Sequence, residues 1–178
     1  MQGDVPRDGL IVEMEDFGFP VLCENAVGMT RDQDLTDALK FLLEGKGAEA
    51  VVKATPWKES WVAKCIIYLA NSFLLVDIMT AIEVFGGEQG LNDLLASQRV
   101  EKHFLQGYGG IFLDKPAQSE SAFESAAKIL PNDPFVQFGL AFAYLRNGKQ
   151  NKFFDAISRM AQQHPSHPAL HLLRELIS

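Results

Sequence analysis

The feature that most constrains this chain is an internal repeat near its C-terminal end, with a period of 34 residues. The segment 122–134 aligns with the segment 156–168 without a gap, and helix-forming and turn residues recur at equal positions. The matched pairs are Ala122 with Ala156, Ala127 with Ala161, Pro131 with Pro165, and Pro134 with Pro168. A fixed period of this length with helix–turn–helix content predicts stacked helical hairpins, because one hairpin alone cannot bury its apolar face.

The pattern resembles the tetratricopeptide repeat over roughly residues 106–178. Residues 122–133 look like the second helix and closing turn of one repeat, and 135–148 look like the first helix of the next. Residues 152–163 would be its partner, and 168–177 a final capping helix. The resemblance implies antiparallel helical hairpins stacked as a short superhelix.

The chain departs from this family pattern at three places. Phe153 stands where the family has alanine, residue Met160 also departs, and residues 106–113 are too rich in glycine for a standard first helix. The match therefore comprises one good repeat and two partial ones. Residues 31–105 show no such motif, and whether they are degenerate repeats stays open.

Helical periodicity extends upstream of the repeat. A helix that Thr30 or Asp34 would cap keeps its apolar residues on one face, namely Leu35, Ala38, Leu39, Leu42 and Leu43. Further helices are predicted over residues 48–53, 57–73, 75–85 and 90–106. The fold class expected for the chain is all-α.

Residues 1–30 have a different character, because glycine and proline punctuate short apolar pieces such as Leu10-Ile11-Val12. This spacing predicts a partly extended arm, with one or two short strands as an option. Residues 1–50 carry eleven acidic against four basic side chains, which accounts for the whole net charge of −7. The acidic arm is either a solvated face or a segment that engages a basic partner or the protein's own body.

Composition excludes several classes of function. The chain has no cluster of lysine and arginine for phosphates, so nucleic-acid binding is not expected. The longest mostly apolar run, residues 65–76, is too short for a membrane span, and no signal-peptide pattern opens the chain. Two cysteines, Cys23 and Cys65, form no disulfide framework, so a reduced, cytoplasmic location is expected.

The tetratricopeptide resemblance implies a binding groove on the concave face. At the family's groove positions the first helix carries Phe135, Phe138, Phe142 and Leu145, which share one helical stripe. The capping helix adds Ala169, Leu172 and Leu176. This groove lacks the lysine, asparagine and arginine with which some family members grip a C-terminal carboxylate, so that mode is disfavoured.

An apolar stripe of this kind has three interpretations. It is either core covered by other helices, or an open docking groove for an apolar or amphipathic segment of another protein. In the third interpretation, residues 10–22 of the chain itself occupy the groove until a partner displaces them.

Other constellations indicate little chemistry. His167, His171 and Glu175 have helical spacing that suits a metal, but this is a weak candidate, and no metal or other cofactor is expected. No acid, base and nucleophile come together in the pattern, so the chain is not expected to be an enzyme.

The sequence thus predicts a protein–protein interaction module, an adaptor or chaperone with a protein or peptide partner. One alternative rests on similarity of size, acidity and an apolar concave face to the small tetratricopeptide chaperones of type III secretion. Another is a homo-oligomeric structural subunit of a larger assembly, such as a homodimer through Phe153-Phe154 or through Trp57 and Trp61.

Overall fold

A computed structural model of the chain describes residues 19–74 and 76–178. This part forms ten α-helices: α1 Phe19–Leu43, α2 Gly47–Ala54, α3 Trp61–Phe73, α4 Ile78–Glu83, α5 Gly87–Ala96, α6 Val100–Phe112, α7 Pro116–Ile129, α8 Pro134–Arg146, α9 Gln150–Gln163 and α10 Pro168–Glu175. Within these ranges there is no β-strand, so the all-α prediction is confirmed. None of the described helices combines the length and apolar character needed to cross a membrane.

The 34-residue period of the sequence is also a period of the helices. Helices α6, α8 and α10 begin 34 residues apart, and α7 and α9 begin with the same separation. Asp133 and His167 hold equivalent cap positions before α8 and α10, and each side chain accepts a backbone N–H of the helix that follows. The five helices before residue 100 do not continue this spacing.

The predicted extended arm is wrong for residues 19–30, which belong to α1. Pro20 lies in the first helical turn, where the missing N–H costs nothing. Once residues 35–43 form a helix, adding upstream residues is inexpensive, and a single Gly28 does not stop it. The rest of the predicted arm, residues 1–18 with Leu10-Ile11-Val12, lies outside the described residues.

Other predicted helices also have different bounds, and two cases show why. The helix expected from Trp57 begins at Trp61, because Trp57 ends a 3₁₀ turn and Ser60 has extended backbone. The helix expected over 90–106 is two helices, α5 and α6. The Ser97 hydroxyl donates a hydrogen bond to the Leu94 carbonyl at 2.6 Å and accepts one from the Arg99 backbone N–H at 3.2 Å. Side-chain hydrogen bonds therefore take the place of the backbone hydrogen bonds of a continuous helix at this point.

Five helices contact one another in a closed ring. The contacts run from α6 to α8, α8 to α10, α10 to α1, α1 to α3, and α3 back to α6. Helix α7 packs outside against α6 and α8, and α9 packs outside against α8 and α10. The arrangement is therefore an inner ring with an outer layer, and not an open superhelix.

The ring encloses one hydrophobic core to which all five inner helices contribute. Its fully buried members include Leu39 of α1, Ile66 of α3, Phe104 of α6, Phe138 of α8 and Leu173 of α10. Helix α1 closes the ring beside α10 and runs in the same direction, since Asp32 faces His167 and Lys40 faces Glu175. The concave side of the repeat is thus occupied by the chain's own first helices.

Candidate functional site

The predicted concave groove is core in this structure. Phe135, Phe138 and Phe142 are all buried, the last with 9% of its surface exposed. The rings of Phe138 and Phe142 stack with centroids 6.2 Å apart. Leu172 is buried and Leu145 is partly buried against the same core.

Only Leu176, in the C-terminal turn, keeps a large exposed fraction among the predicted groove residues. The first interpretation of the stripe, a core covered by other helices, therefore describes these residues. The third interpretation placed residues 10–22 in the groove. Residues 10–18 lie outside the described part, and 19–22 belong to α1.

Two of the three residues of the weak metal candidate, His167 and Glu175, make structural contacts with other groups. The Nδ1 atom of His167 accepts the Ala169 N–H at 3.1 Å, and its Nε2 lies 3.4 Å from an Asp32 carboxylate oxygen. Glu175 faces Lys40 at 3.3 Å instead of the histidines. Across the described residues, no group of three histidine, cysteine or acidic side chains could hold a metal ion.

The contact between Asp32 and His167 is electrostatic and only partly shielded from water. Burial opposes ionisation of Asp32, but His167 and the neighbouring Arg31 outweigh it, so the pKa of this carboxyl lies below its ordinary value. The Phe135 ring packs edge-on against His167 with centroids 5.1 Å apart. His167 therefore stabilises the packing of α1 against α10.

Cys65 carries no reactive character in this structure. It is fully buried in α3, and burial raises the pKa of its thiol well above the ordinary value. Since the thiolate is the nucleophilic form, this cysteine is held inert. The side chain of Cys23 lies outside the described residues.

An open apolar groove lies elsewhere, on the outer surface between α6 and α7. Its volume is about 580 Å³. Three large apolar side chains border it and remain exposed, namely Phe73 at 37%, Leu95 at 43% and Leu113 at 58%. We call this surface the α6–α7 groove. It lies between α7 on one side and the end of α3 and α5 on the other, with α6 as its floor.

Small residues make the groove accessible to a second backbone. Gly109 and Gly110 form part of the α6 floor, and Ser121, Ala122 and Ser125 line the α7 side. A Cβ added to Gly110 would come within 2.9 Å of the Ser119 backbone nitrogen, so α6 and α7 approach closely here. The close approach of two helices with small side chains leaves a shallow channel along them.

The groove is lined by neutral groups. Gln106, Gln118 and Ser121 supply hydrogen-bonding groups around its apolar part. His103 lies at one end, and burial, with a smaller effect from Lys102, lowers its pKa. Among the described lining residues there is no carboxylate, lysine, arginine or cysteine. Such a surface can bind an apolar or amphipathic segment, and it lacks a nucleophile paired with a base.

Sequence reasoning missed this groove because its residues come from four helices. One sequence signal pointed toward it, the glycine-rich run 106–113, which ends at Leu113. Glycines within a repeat helix indicate close approach of another backbone, as well as a departure from the standard first helix of the repeat.

The aromatic pairs suggested as oligomer contacts divide between core and surface. Phe153 is buried, while Phe154 is exposed on α9. Trp57 donates its Nε1–H to Asp34 at 2.9 Å, and the Trp61 ring packs against Phe104 with centroids 5.1 Å apart. Both tryptophans therefore anchor their elements within this chain.

Comparison of the chain with known protein families, with curated proteins and with solved structures finds no match.

Proposed function

We propose that this chain is a non-catalytic protein–protein interaction module, an adaptor or chaperone that binds an amphipathic segment of another protein. The observation that carries the proposal is the α6–α7 groove, where Phe73, Leu95 and Leu113 stay exposed around one channel. Contiguous exposed apolar surface with a polar rim is typical of interaction sites. Amphipathic helices commonly dock their apolar face into grooves of this kind.

The chemistry of the groove favours binding over catalysis. Its described lining offers amides, hydroxyls and one imidazole, and these groups orient a ligand without supplying a strong acid or nucleophile. A type III secretion-type chaperone, the alternative drawn from the resemblance, would use the concave face. That face is filled by core residues in the described part of the chain.

The test compares two arginine substitutions on exposed serines of outer helices. Ser121→Arg places a charged side chain in the groove, and Ser158→Arg makes the same change on the exposed side of α9. We expect a partner protein that is cross-linked to the wild-type chain in its own cells to be recovered also with Ser158→Arg and to be lost with Ser121→Arg. The purified partner should likewise bind wild type and Ser158→Arg, and not Ser121→Arg.

Equal recovery of that protein with Ser121→Arg and with wild type would contradict the groove as the binding site. Circular dichroism of both variants checks that the helices are intact.

A second candidate function is self-assembly, and the exposure of Phe154 on α9 favours it. A dimer through this face predicts a mass by light scattering that rises with concentration and returns to the monomer value in Phe154→Ser. A monomer at all concentrations would remove this candidate.

A further inference from the structure

Helix α5 is attached to the rest of the fold by fewer buried side chains than α7 and α9. Among its ten residues, all of which the structure describes, only Leu94 is buried. Helix α7 buries five residues, including Phe123, and α9 buries Phe153 and Met160. Since a helix with little buried apolar surface opens locally at a low free energy, Leu94 is the main attachment of α5.

The 34-residue period shows which attachments α5 lacks. Helix α5 precedes α6 as α7 precedes α8 and as α9 precedes α10. At one position of this register, Ala126 of α7 and Met160 of α9 are fully buried, whereas α5 has the exposed Asn92. One turn earlier, the buried Phe123 corresponds to the exposed Gln89 of α5. The positions that hold the other two helices against the inner ring are therefore polar in α5.

Both ends of α5 are connected through non-helical backbone. Gly86 and Gly87 precede it with φ of +92° and +80°, a left-handed conformation that side chains disfavour. Ser97 and Arg99 follow it with extended backbone. A helix of ten residues that contains Gly90 is not stable in water without packing. Helix α5 can thus leave its place without drawing α4 or α6 with it, and it loses its helical hydrogen bonds when it does.

The same helix forms part of the α6–α7 groove. Leu95 lines the groove on the α3 side, next to Tyr68, and it follows directly after the buried Leu94. Any movement that takes Leu94 out of the core also takes Leu95 out of the groove. The groove then widens on this side, while α6 and α7, which form the floor and the opposite side, stay in place.

We infer that α5 is a displaceable wall of the α6–α7 groove, which leaves its place beside α6 while the rest of the fold stays intact and so controls how much of the groove a ligand can reach. With α5 in place the groove is a channel of about 580 Å³. A ligand larger than this channel binds the form in which α5 is displaced. The inference rests on the proposed function and concerns the regulation of the same site.

Modification of buried thiols in the full chain tests the displacement of α5. All variants carry Cys23→Ser, so that the native Cys65, which is fully buried in α3, is the reference within each molecule. Leu94→Cys places a second thiol at the buried position of α5, and the matched control Met160→Cys places it at a buried position of α9. The rate of modification by N-ethylmaleimide is read by mass spectrometry and divided by the rate of the same thiol in the unfolded chain.

We expect the thiol of Leu94→Cys to react about tenfold faster than Cys65 or more, because local opening of α5 exposes it and leaves Cys65 covered. Low urea should leave this rate unchanged, since local opening exposes little surface. The thiol of Met160→Cys should react no faster than Cys65, and the rates of both should rise with urea.

Hydrogen exchange of the unmodified chain gives the same comparison without a substitution in α5. The displaced α5 loses its helical hydrogen bonds, so its backbone amides should exchange faster than those of α7. This measurement also decides the case in which Leu94→Cys does not fold.

The neutral apolar dye Nile red tests whether the displacement of α5 opens the groove. A ligand that prefers the displaced form shifts the population toward it. Saturating dye should therefore raise the rate of the thiol of Leu94→Cys by about threefold or more, and adding Ser121→Arg should remove this rise.

Two results would overturn the inference. The first is that the amides of α5 and α7 exchange at the same rate, and that the thiol of Leu94→Cys reacts as Cys65 does at every urea concentration. The second is that the dye leaves the rate of this thiol unchanged or lowers it. If either result occurs while Ser121→Arg still abolishes capture of a cellular partner, the proposed function stands and only its regulation by α5 falls.

Discussion

At the scale of single residues, the ring of Phe123 is closely packed and constrains its neighbours. It is fully buried on α7 between two helices of the inner ring. A Cβ added to Gly107 of α6 would lie 2.6 Å from this ring, and one added to Gly139 of α8 would also overlap it. Tyr108 packs edge-on to the same ring with centroids 5.1 Å apart, so the ring cannot swing away.

This arrangement predicts opposite effects for two neighbouring alanine substitutions. Gly107→Ala should lower the free energy of unfolding by about 1–3 kcal/mol through overpacking. Gly109→Ala meets only Phe73 at 3.5 Å, an ordinary contact, and should raise it by roughly 0.5–1 kcal/mol through better helix propensity. Urea unfolding measures both. Equal effects of the two substitutions would contradict the packing of Phe123.

The glycine-rich run also marks where sequence reasoning fails at this scale. Residues 106–113 were expected not to form a standard repeat helix, because glycine weakens an isolated helix. In the structure, α6 includes Gly107, Gly109 and Gly110, and burial against α7 and α8 outweighs their low propensity. Propensity acts on a residue alone, whereas the packing partner of Gly107 is found only once Phe123 is placed.

At the scale of elements, the main question is what holds α1. The apolar stripe of this helix was predicted, and Leu35, Ala38, Leu39 and Leu42 are buried as expected. What the stripe packs on could not be predicted, because α10 lies far along the chain: Lys40 and Glu175 are 135 residues apart. Periodicity identifies an apolar face and gives no information about which element covers it.

The contact between α1 and α10 predicts that the stability of the fold depends on pH. Since the folded-state pKa of Asp32 lies below its ordinary 3.8, the ionised carboxylate stabilises the fold above that pH. The stabilisation is lost as pH falls below 3.8 through the folded pKa. We therefore expect Asp32→Asn to be less stable than wild type at pH 5, with the difference shrinking below pH 3.8 in thermal unfolding.

Asp133 provides a control of opposite sign. Burial raises its pKa above 3.8 despite two backbone N–H bonds, so its charge disfavours the fold at higher pH. Asp133→Asn keeps a capping side chain and should gain stability relative to wild type as pH rises above 3.8. If the stability difference between Asp32→Asn and wild type stayed constant across this pH range, His167 would not be the electrostatic partner of Asp32.

At the scale of the whole molecule, the C-terminal repeat is the part that sequence predicts best and ring closure the part it predicts least. The positions of α7 to α10 follow from the 34-residue period and its prolines. The concave groove expected from the resemblance assumes an open superhelix. In this structure α1 and α3 cover the concave face. No local sequence pattern predicts this closure, because it depends on contacts between helices that are far apart in the chain, such as α1 and α10.

Ring closure predicts that α1 contributes core stability as a full member of the fold. Leu39→Ala should lower the free energy of unfolding by about 2–5 kcal/mol, as for a large buried side chain. Leu113→Ala, which truncates an exposed leucine of the α6–α7 groove, should change it by less than about 0.5 kcal/mol. Chemical unfolding of both variants gives the comparison. A small effect of Leu39→Ala would mean that α1 is not part of the core.

The most direct measurement of the central claim is hydroxyl-radical footprinting of the intact chain, read by mass spectrometry at each side chain. The closed ring predicts that Phe138 and Phe142 react as slowly as the buried Met160 after correction for intrinsic reactivity, while Leu113 and Phe154 react as exposed groups. Rapid modification of Phe138 and Phe142, at the corrected rate of Phe154, would show an open concave face and return the binding site to the interior of the repeat.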